Sequence, residues 1–246
     1  MAITTINLSS LDGSNGFRVD GAGGPVSNAG DVNGDGFDDF IVDGSGASYV
    51  VFGKVSGFNA TLDLSSLDGS NGFSLNGSAR AVSSAGDVNG DGFDDVIVGA
   101  NSYYTGIASY VVFGKASGFN ASLDLSSLDG SNGFILDGSP GSLGSASFSV
   151  SSAGDINGDG FDDVIAGGAS GSYGGSSYVV FGKASGFDAH VDGDFNLDEV
   201  FGDYIGASVS GAGDVNSDGF DDVIVGGPRA DRNGDNSGTS YVVFGK

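Results

Sequence analysis

Asp87-Val88-Asn89-Gly90-Asp91-Gly92-Phe93-Asp94-Asp95 runs directly into Val96-Ile97-Val98-Gly99-Ala100. Aspartate and asparagine alternate with small residues through its first half, which suits a tight turn. The apolar run that follows is too short for a helix and is bounded by glycine, so it reads as a strand. The stretch occurs four times: from Asp31, from Asp87, from Asp155 with Ile156 at its second position, and from Asp214 with Ser217 replacing a glycine. The separations are 56, 68 and 59 residues. A second marker, Tyr-Val-Val-Phe-Gly-Lys, starts at Tyr49, Tyr110, Tyr178 and Tyr241, always 10 to 19 residues beyond the last aspartate of the preceding loop. Two markers keeping one order four times define an internal repeat of roughly 60 residues.

The runs after the loops, Phe40-Ile41-Val42, Val96-Ile97-Val98, Val164-Ile165-Ala166 and Val223-Ile224-Val225, are continuously apolar. A strand wet on one face would alternate, so these strands are expected to be covered on both faces, as in stacked small sheets. Further strands are expected at Thr61–Leu64, at its copy Ser122–Leu125, and over Ser147–Ser151. Four short strands per repeat is the content of a propeller blade, which predicts an all-β, four-repeat propeller of antiparallel blades occupying residues 1–246 as one domain. Ile6-Asn7-Leu8-Ser9 matches Leu62–Ser65 and Leu123–Ser126, so the N-terminal residues are expected to supply the outer strand of the last blade and close the ring. A larger ring, completed by further sequence or by a second copy in a homodimer, stays open.

Composition agrees with a turn-rich folded chain: 48 Gly, 3 Pro, 18 Phe and 8 Tyr, with no Cys or Trp. The formal net charge is −24, and every acidic residue except Glu199 is aspartate. The short aspartate side chain suits tight turns and oxygen cages around hard cations, whereas the overall field disfavours nucleic acid and anionic membranes. No apolar run approaches membrane-spanning length, so no membrane insertion is expected. The absence of cysteine removes disulfides and thiolate metal sites as staples.

In each loop the odd positions carry oxygen. Asp31, Asn33, Asp35 and Asp39 with the Phe37 carbonyl form one candidate cage. The others are Asp87, Asn89, Asp91, Phe93 and Asp95; Asp155, Asn157, Asp159, Phe161 and Asp163; and Asp214, Asn216, Asp218, Phe220 and Asp222. Oxygen-only ligation of that number suits Ca2+, about four ions per chain, with Asp38, Asp94, Asp162 and Asp221 outside the cages. A helix-flanked calcium loop would need an acid at position twelve, where this chain has Val42, Val98, Ala166 and Val225.

With these loops, the closing Phe-Gly-Lys of each unit and the Val-Ile-Val-Gly-Ala or Val-Ile-Val-Gly-Gly-Pro segments, the sequence resembles the FG-GAP repeat family of integrin α-subunit heads and bacterial surface or secreted proteins. Phe195-Asn196-Leu197-Asp198 resembles that family's outer-strand motif. The resemblance implies a calcium-binding propeller, seven-bladed in many members, that binds partners on the face away from the calcium loops.

Antiparallel connectivity also puts the length-variable segments Ser102–Ile107, Ser139–Ser145 and Gly227–Gly238 on that opposite face. Tyr103, Tyr104, Tyr173, Arg229 and Arg232 are the candidate contacts there, being anchor-type side chains. A single histidine, His190, and no cysteine leave little for catalysis, so no enzymatic activity is expected. The expected function is an extracellular, calcium-stabilised adhesion or binding module for a protein partner. A calcium-dependent lectin and a structural spacer of a larger secreted protein are the alternatives.

Overall fold

A computed structural model of the chain describes residues 6–55, 57–77, 79–102, 106–137, 148–170, 174–198 and 203–246. In chain order the strands are β1 (Arg18–Asp20), β2 (Ala22–Gly30), β3 (Asp39–Gly44), β4 (Ala47–Val51), β5 (Thr61–Asp63), β6 (Gly72–Asn76), β7 (Ala79–Gly86), β8 (Asp95–Ser102), β9 (Gly106–Val112) and β10 (Ser122–Asp124). They continue with β11 (Gly133–Asp137), β12 (Phe148–Gly154), β13 (Asp163–Ser170), β14 (Gly174–Val180), β15 (His190–Val191), β16 (Phe195–Asp198), β17 (Ser208–Gly213), β18 (Asp222–Gly227) and β19 (Thr239–Val243). Four sheets result, ordered β10-β6-β4-β3-β2, β15-β11-β9-β8-β7, β12-β13-β14-β16 and β17-β18-β19, with β1 and β5 forming a separate pair.

Each sheet starts as an antiparallel meander whose first hairpin carries an acidic loop. A glycine in the left-handed region precedes each loop, Gly30, Gly86, Gly154 and Gly213 with φ between 67 and 75°, where the ladder slips by one residue. A side chain would be strained there, and the bulge turns the chain out of the sheet into the loop. The Tyr-Val-Val strand then pairs with the outer strand in one repeated register: Tyr49 with Ser74, Tyr110 with Ile135, and Tyr178 with Asn196.

The sheets stack face to face. Ile41, Val50, Phe73 and Leu75 of the first pack with Val82, Val96, Val98 and Val112 of the second. Ile97, Val111, Phe134 and Leu136 on the second sheet's other face pack with Val150, Val164 and Val180 of the third. Ile165 and Val179 then meet Val209, Val223 and Val225 of the fourth. Middle strands buried on both faces account for the first three continuous apolar runs; in the fourth, expected to be covered likewise, Ile224 is 36 % exposed because β18 lies in the last sheet of the stack.

Two expectations are corrected. Thr61–Leu64 and Ser122–Leu125 are strands only to Asp63 and Asp124; each aspartate then accepts the amide of the second residue after it, from Ser65 or Ser126, and caps a 3-10 turn. These short strands cross over and run parallel to the outer strand of the neighbouring sheet, β5 on β1, β10 on β6 and β15 on β11. At the N-terminus, Leu8–Ser10 is likewise a 3-10 turn capped by Asn7, and the strand that follows, β1, pairs with β5. Among the described residues β19 pairs with β18 alone, so no sheet closes the stack into a ring.

Candidate metal centre

The four acidic loops share one hydrogen-bond pattern. In the first, Asp31 accepts the Asp35 amide on Oδ1 at 3.0 Å and the Gly36 amide on Oδ2 at 2.8 Å. Asn33 Oδ1 also accepts from Asp35 N at 2.9 Å, and Asp35 Oδ1 accepts from Phe37 N at 3.0 Å. The same bonds recur from Asp87, Asp155 and Asp214. The loop is thus pre-folded by its own side chains.

The ninth position behaves differently. Asp39 is buried, its Oδ2 taking the Val32 amide at 3.0 Å and its Oδ1 the Gly53 amide at 2.7 Å. Asp95, Asp163 and Asp222 repeat this bridge to Gly114, Gly182 and Gly245. One carboxylate therefore ties the acidic loop to the Phe-Gly-Lys marker of its own repeat, a link the spacing alone did not disclose. Burial pushes the carboxyl of Asp39 up to about 7, Asp95 to about 8 and Asp163 to about 7. The two amides oppose the shift in each case, while the first and fifth aspartates of the loop add to it by repulsion.

Among the described residues no group of three or more carboxylate or imidazole side chains is gathered into a metal-holding cluster. The donor chemistry nevertheless fits a hard cation: every candidate atom is oxygen, and a carboxylate oxygen holding one amide keeps a second lone pair. A divalent ion would also offset the repulsion that adds to the effect of burial at Asp39, Asp95 and Asp163.

Asp94, Asp162 and Asp221, expected to stand outside the cages, have a role that the spacing did not disclose. Asp94 Oδ2 accepts from Asp31 N across the boundary between the first two sheets, and Asp162 and Asp221 do the same for Asp87 N and Asp155 N. An aspartate repeated four times at the eighth position with no local partner was the available signal.

The opposite end of the sheets carries the β18–β19 connection, residues 228–238. Arg229 sits 4.1 Å from the centroid of the Tyr204 ring and donates to its hydroxyl at 3.0 Å, and Tyr204 itself holds a left-handed φ of 57°. Arg232 donates to the Tyr241 hydroxyl at 3.3 Å. Tyr103, Tyr104 and Tyr173 lie outside the described residues. His190 is exposed on β15, with Nδ1 2.8 Å from Asp137 Oδ2.

Stacked, repeated antiparallel sheets with an aspartate-rich first hairpin define a class of repeat module. The FG-GAP repeat signature matches residues 79–112, 148–180 and 206–243, each segment covering a first strand, acidic loop and the next two strands. The chain thus carries three FG-GAP repeats. No curated protein matches it. No helix among the described residues is long and apolar enough to cross a membrane.

Proposed function

We propose that this chain is a calcium-stabilised, non-enzymatic binding module of β-propeller type that acts outside the cell and engages a protein partner on the face opposite its acidic loops. The observation that carries the reading is the ninth aspartate, buried in all four repeats and, at Asp39, Asp95 and Asp163, within the repulsive field of the first and fifth aspartates of its loop. Asp39, Asp95, Asp163 and Asp222, with the first, third and fifth side chains and the seventh carbonyl, would hold one Ca2+ per repeat. The bound ion supplies positive charge, and the buried aspartate passes that restraint to the Phe-Gly-Lys strand. Oxygen-only loops of this kind fill reliably where calcium is millimolar, which supports an extracellular setting. Arg229, Arg232 and the 228–238 connection are the described part of the partner face. The test is calorimetric: dialysis against EDTA, then titration with Ca2+. Four ions per chain and a rise in Tm are expected, and an unchanged Tm with no heat of binding refutes the reading.

A carbohydrate ligand is the second reading, favoured by a groove that recurs beside the acidic loops. Asp91, Lys115, Phe119, Asn120 and Asn132 line about 340 Å3 in one repeat. The equivalent Asp35, Lys54, Phe58, Asn59 and Asn71 line about 210 Å3 in the previous one. Repeated polar grooves floored by an aromatic ring suit a polyol, and their multiplicity would give avidity. A glycan array with calcium, run beside a protein pull-down, separates the two.

A further inference from the structure

The stack contains three nearly identical seams and the two unmatched halves of a fourth. At every internal seam the eighth-position aspartate of one sheet exchanges two hydrogen bonds with the first-position aspartate of the sheet before it. The lysine closing Phe-Gly-Lys also donates its backbone amide to the second loop residue of that preceding sheet: Lys115 to Val32 O, Lys183 to Val88 O and Lys246 to Ile156 O. At the start of the stack Asp38 and the Lys54 amide have no such counterpart among the described residues, and at its end Asp214 N and Val215 O have none.

The apolar pattern is split in the same way. Val82, Val150 and Val209 are at most 7 % exposed, but their equivalent in the first sheet, Val26, is 71 % exposed. Val32, Val88 and Ile156 are at most 8 % exposed, but Val215 in the last sheet is 58 % exposed. Ile224, Val242 and Phe244 of the last sheet are exposed as well. The strands divide along the same line. β1 stands on the outer face of the first sheet, with Val19 packed against the cluster that includes Val42 and Val51. Among the described residues β1 pairs with β5 alone, as the outer strand β6 pairs with β10, while β17-β18-β19 form a three-stranded sheet without a fourth strand on β19.

We infer that the two ends associate between copies: the β17–β19 sheet of one molecule docks on the β1–β2 end of a second, head to tail. The register repeated in the first three sheets places Tyr241 of β19 opposite Arg18 of β1, antiparallel, and the contact covers Val26 and Phe37 with Val215 and Val242. Continuity with the internal seams selects a second copy as the occupant, since each end matches the half-seam that the other lacks. The sequence also makes this joint unlike the three inside the chain. A Cβ at Gly34, Gly90 or Gly158 would stand 2.3 Å from the Phe93, Phe161 or Phe220 ring of the following sheet, whereas the last loop carries Ser217, with its Cβ in place. Phe37 must shift to seat there, which gives a looser joint suited to reversible association between molecules and not to permanent closure within one. Such a heterologous contact yields a closed dimer if two copies complete a ring, and an open array otherwise.

Sedimentation equilibrium of the whole chain in millimolar calcium tests this, with Val26→Asp and Val215→Asp as exposed-site variants whose Tm shows that they fold. The expected result is a concentration-dependent mass of twice the monomer or more for the unaltered chain, a monomer for each variant alone, and a heterodimer when the variants are mixed, because each keeps one intact half-seam. A monomer at about 100 μM, well above a micromolar Kd, which is what closure within one chain or capping by some other molecule gives, overturns the inference. Self-association unaffected by both substitutions, or no heterodimer on mixing, overturns it equally.

Discussion

Asp31 and Asp94, 63 residues apart, are joined by two hydrogen bonds: the Asp31 amide donates to Asp94 Oδ2 at 2.7 Å, and the Asp94 amide donates back to the Asp31 carbonyl at 3.2 Å. Asp87 with Asp162 and Asp155 with Asp221 repeat the pair. The clasp fixes how one acidic loop sits on the next. Removing the side chain strands a part-buried amide, so Asp162→Ala should cost about 1–3 kcal/mol. Asp162→Asn, which keeps a carbonyl oxygen for the Asp87 amide, should recover most of that. Urea unfolding of the three proteins in calcium measures both.

Gly90 is held at φ 70° with the Phe161 ring where its Cβ would be. Gly90→Ala must both adopt a left-handed backbone and displace the ring, so a loss of about 1–3 kcal/mol from the backbone alone is expected, with repacking in addition. Ser217 already occupies the equivalent site at φ 62°. Ser217→Gly should therefore be neutral or slightly stabilising in the monomer, and opposite responses at these two equivalent positions are the outcome to look for in thermal melts.

The acidic loops, the strands after them and their burial on both faces were legible because each is local: a turn needs its glycines and aspartates in order, and a doubly covered strand shows an unbroken apolar run. The parallel crossing of β10 onto β6 was not legible, because Ser122-Leu123-Asp124 pairs with Ser74-Leu75-Asn76 through backbone groups that any residue supplies. The aromatic packing was hidden in the same way. Phe119 and Phe187 belong to linker copies of Ser-Gly-Phe, yet they stack on Phe73 and Phe134 at 4.7 Å, with Lys115 and Lys183 over them at 4.9 and 4.7 Å. The ring expectation rested on strand phase at the termini, which says nothing of pairing: among the described residues β1 pairs with β5 and β19 with β18 alone.

Phe134 is fully buried and lies between Phe113, at 6.0 Å, and Phe187. Phe134→Ala removes the centre of that cluster, and a loss of about 3–5 kcal/mol is expected. Arg229→Ala deletes an exposed cation–π contact with Tyr204, for which about 0.5–1 kcal/mol is expected. A pair of denaturation curves thus separates a residue that holds the stack from one proposed to face a partner.

Metal-free protein should lose stability as pH rises, against the usual direction for an acidic protein. The carboxyls of Asp39, Asp95 and Asp163 sit at about 7, 8 and 7 in the folded chain, chiefly because they are buried, and near the ordinary carboxylate value once it unfolds. Between roughly pH 4 and 8 the folded form therefore binds protons that the unfolded form has released. The stabilisation is complete below the unfolded value and is lost as pH passes through the folded ones. The caps Asp63 and Asp124, whose hydrogen bonds to Ser65 and Ser126 hold them below the usual range, titrate beneath this window. In EDTA the Tm at pH 8 should fall below that at pH 5, and saturating Ca2+ should flatten or reverse the slope, because a bound cation favours the charged carboxylates. Asp95→Asn removes one titrating group but turns an NH2 toward the Val88 or Gly114 amide, so it should lower Tm at both pH values while shrinking the difference between them. Metal-free melts that rise steadily from pH 5 to 8 would rule out buried ninth-position carboxyls as the controlling groups.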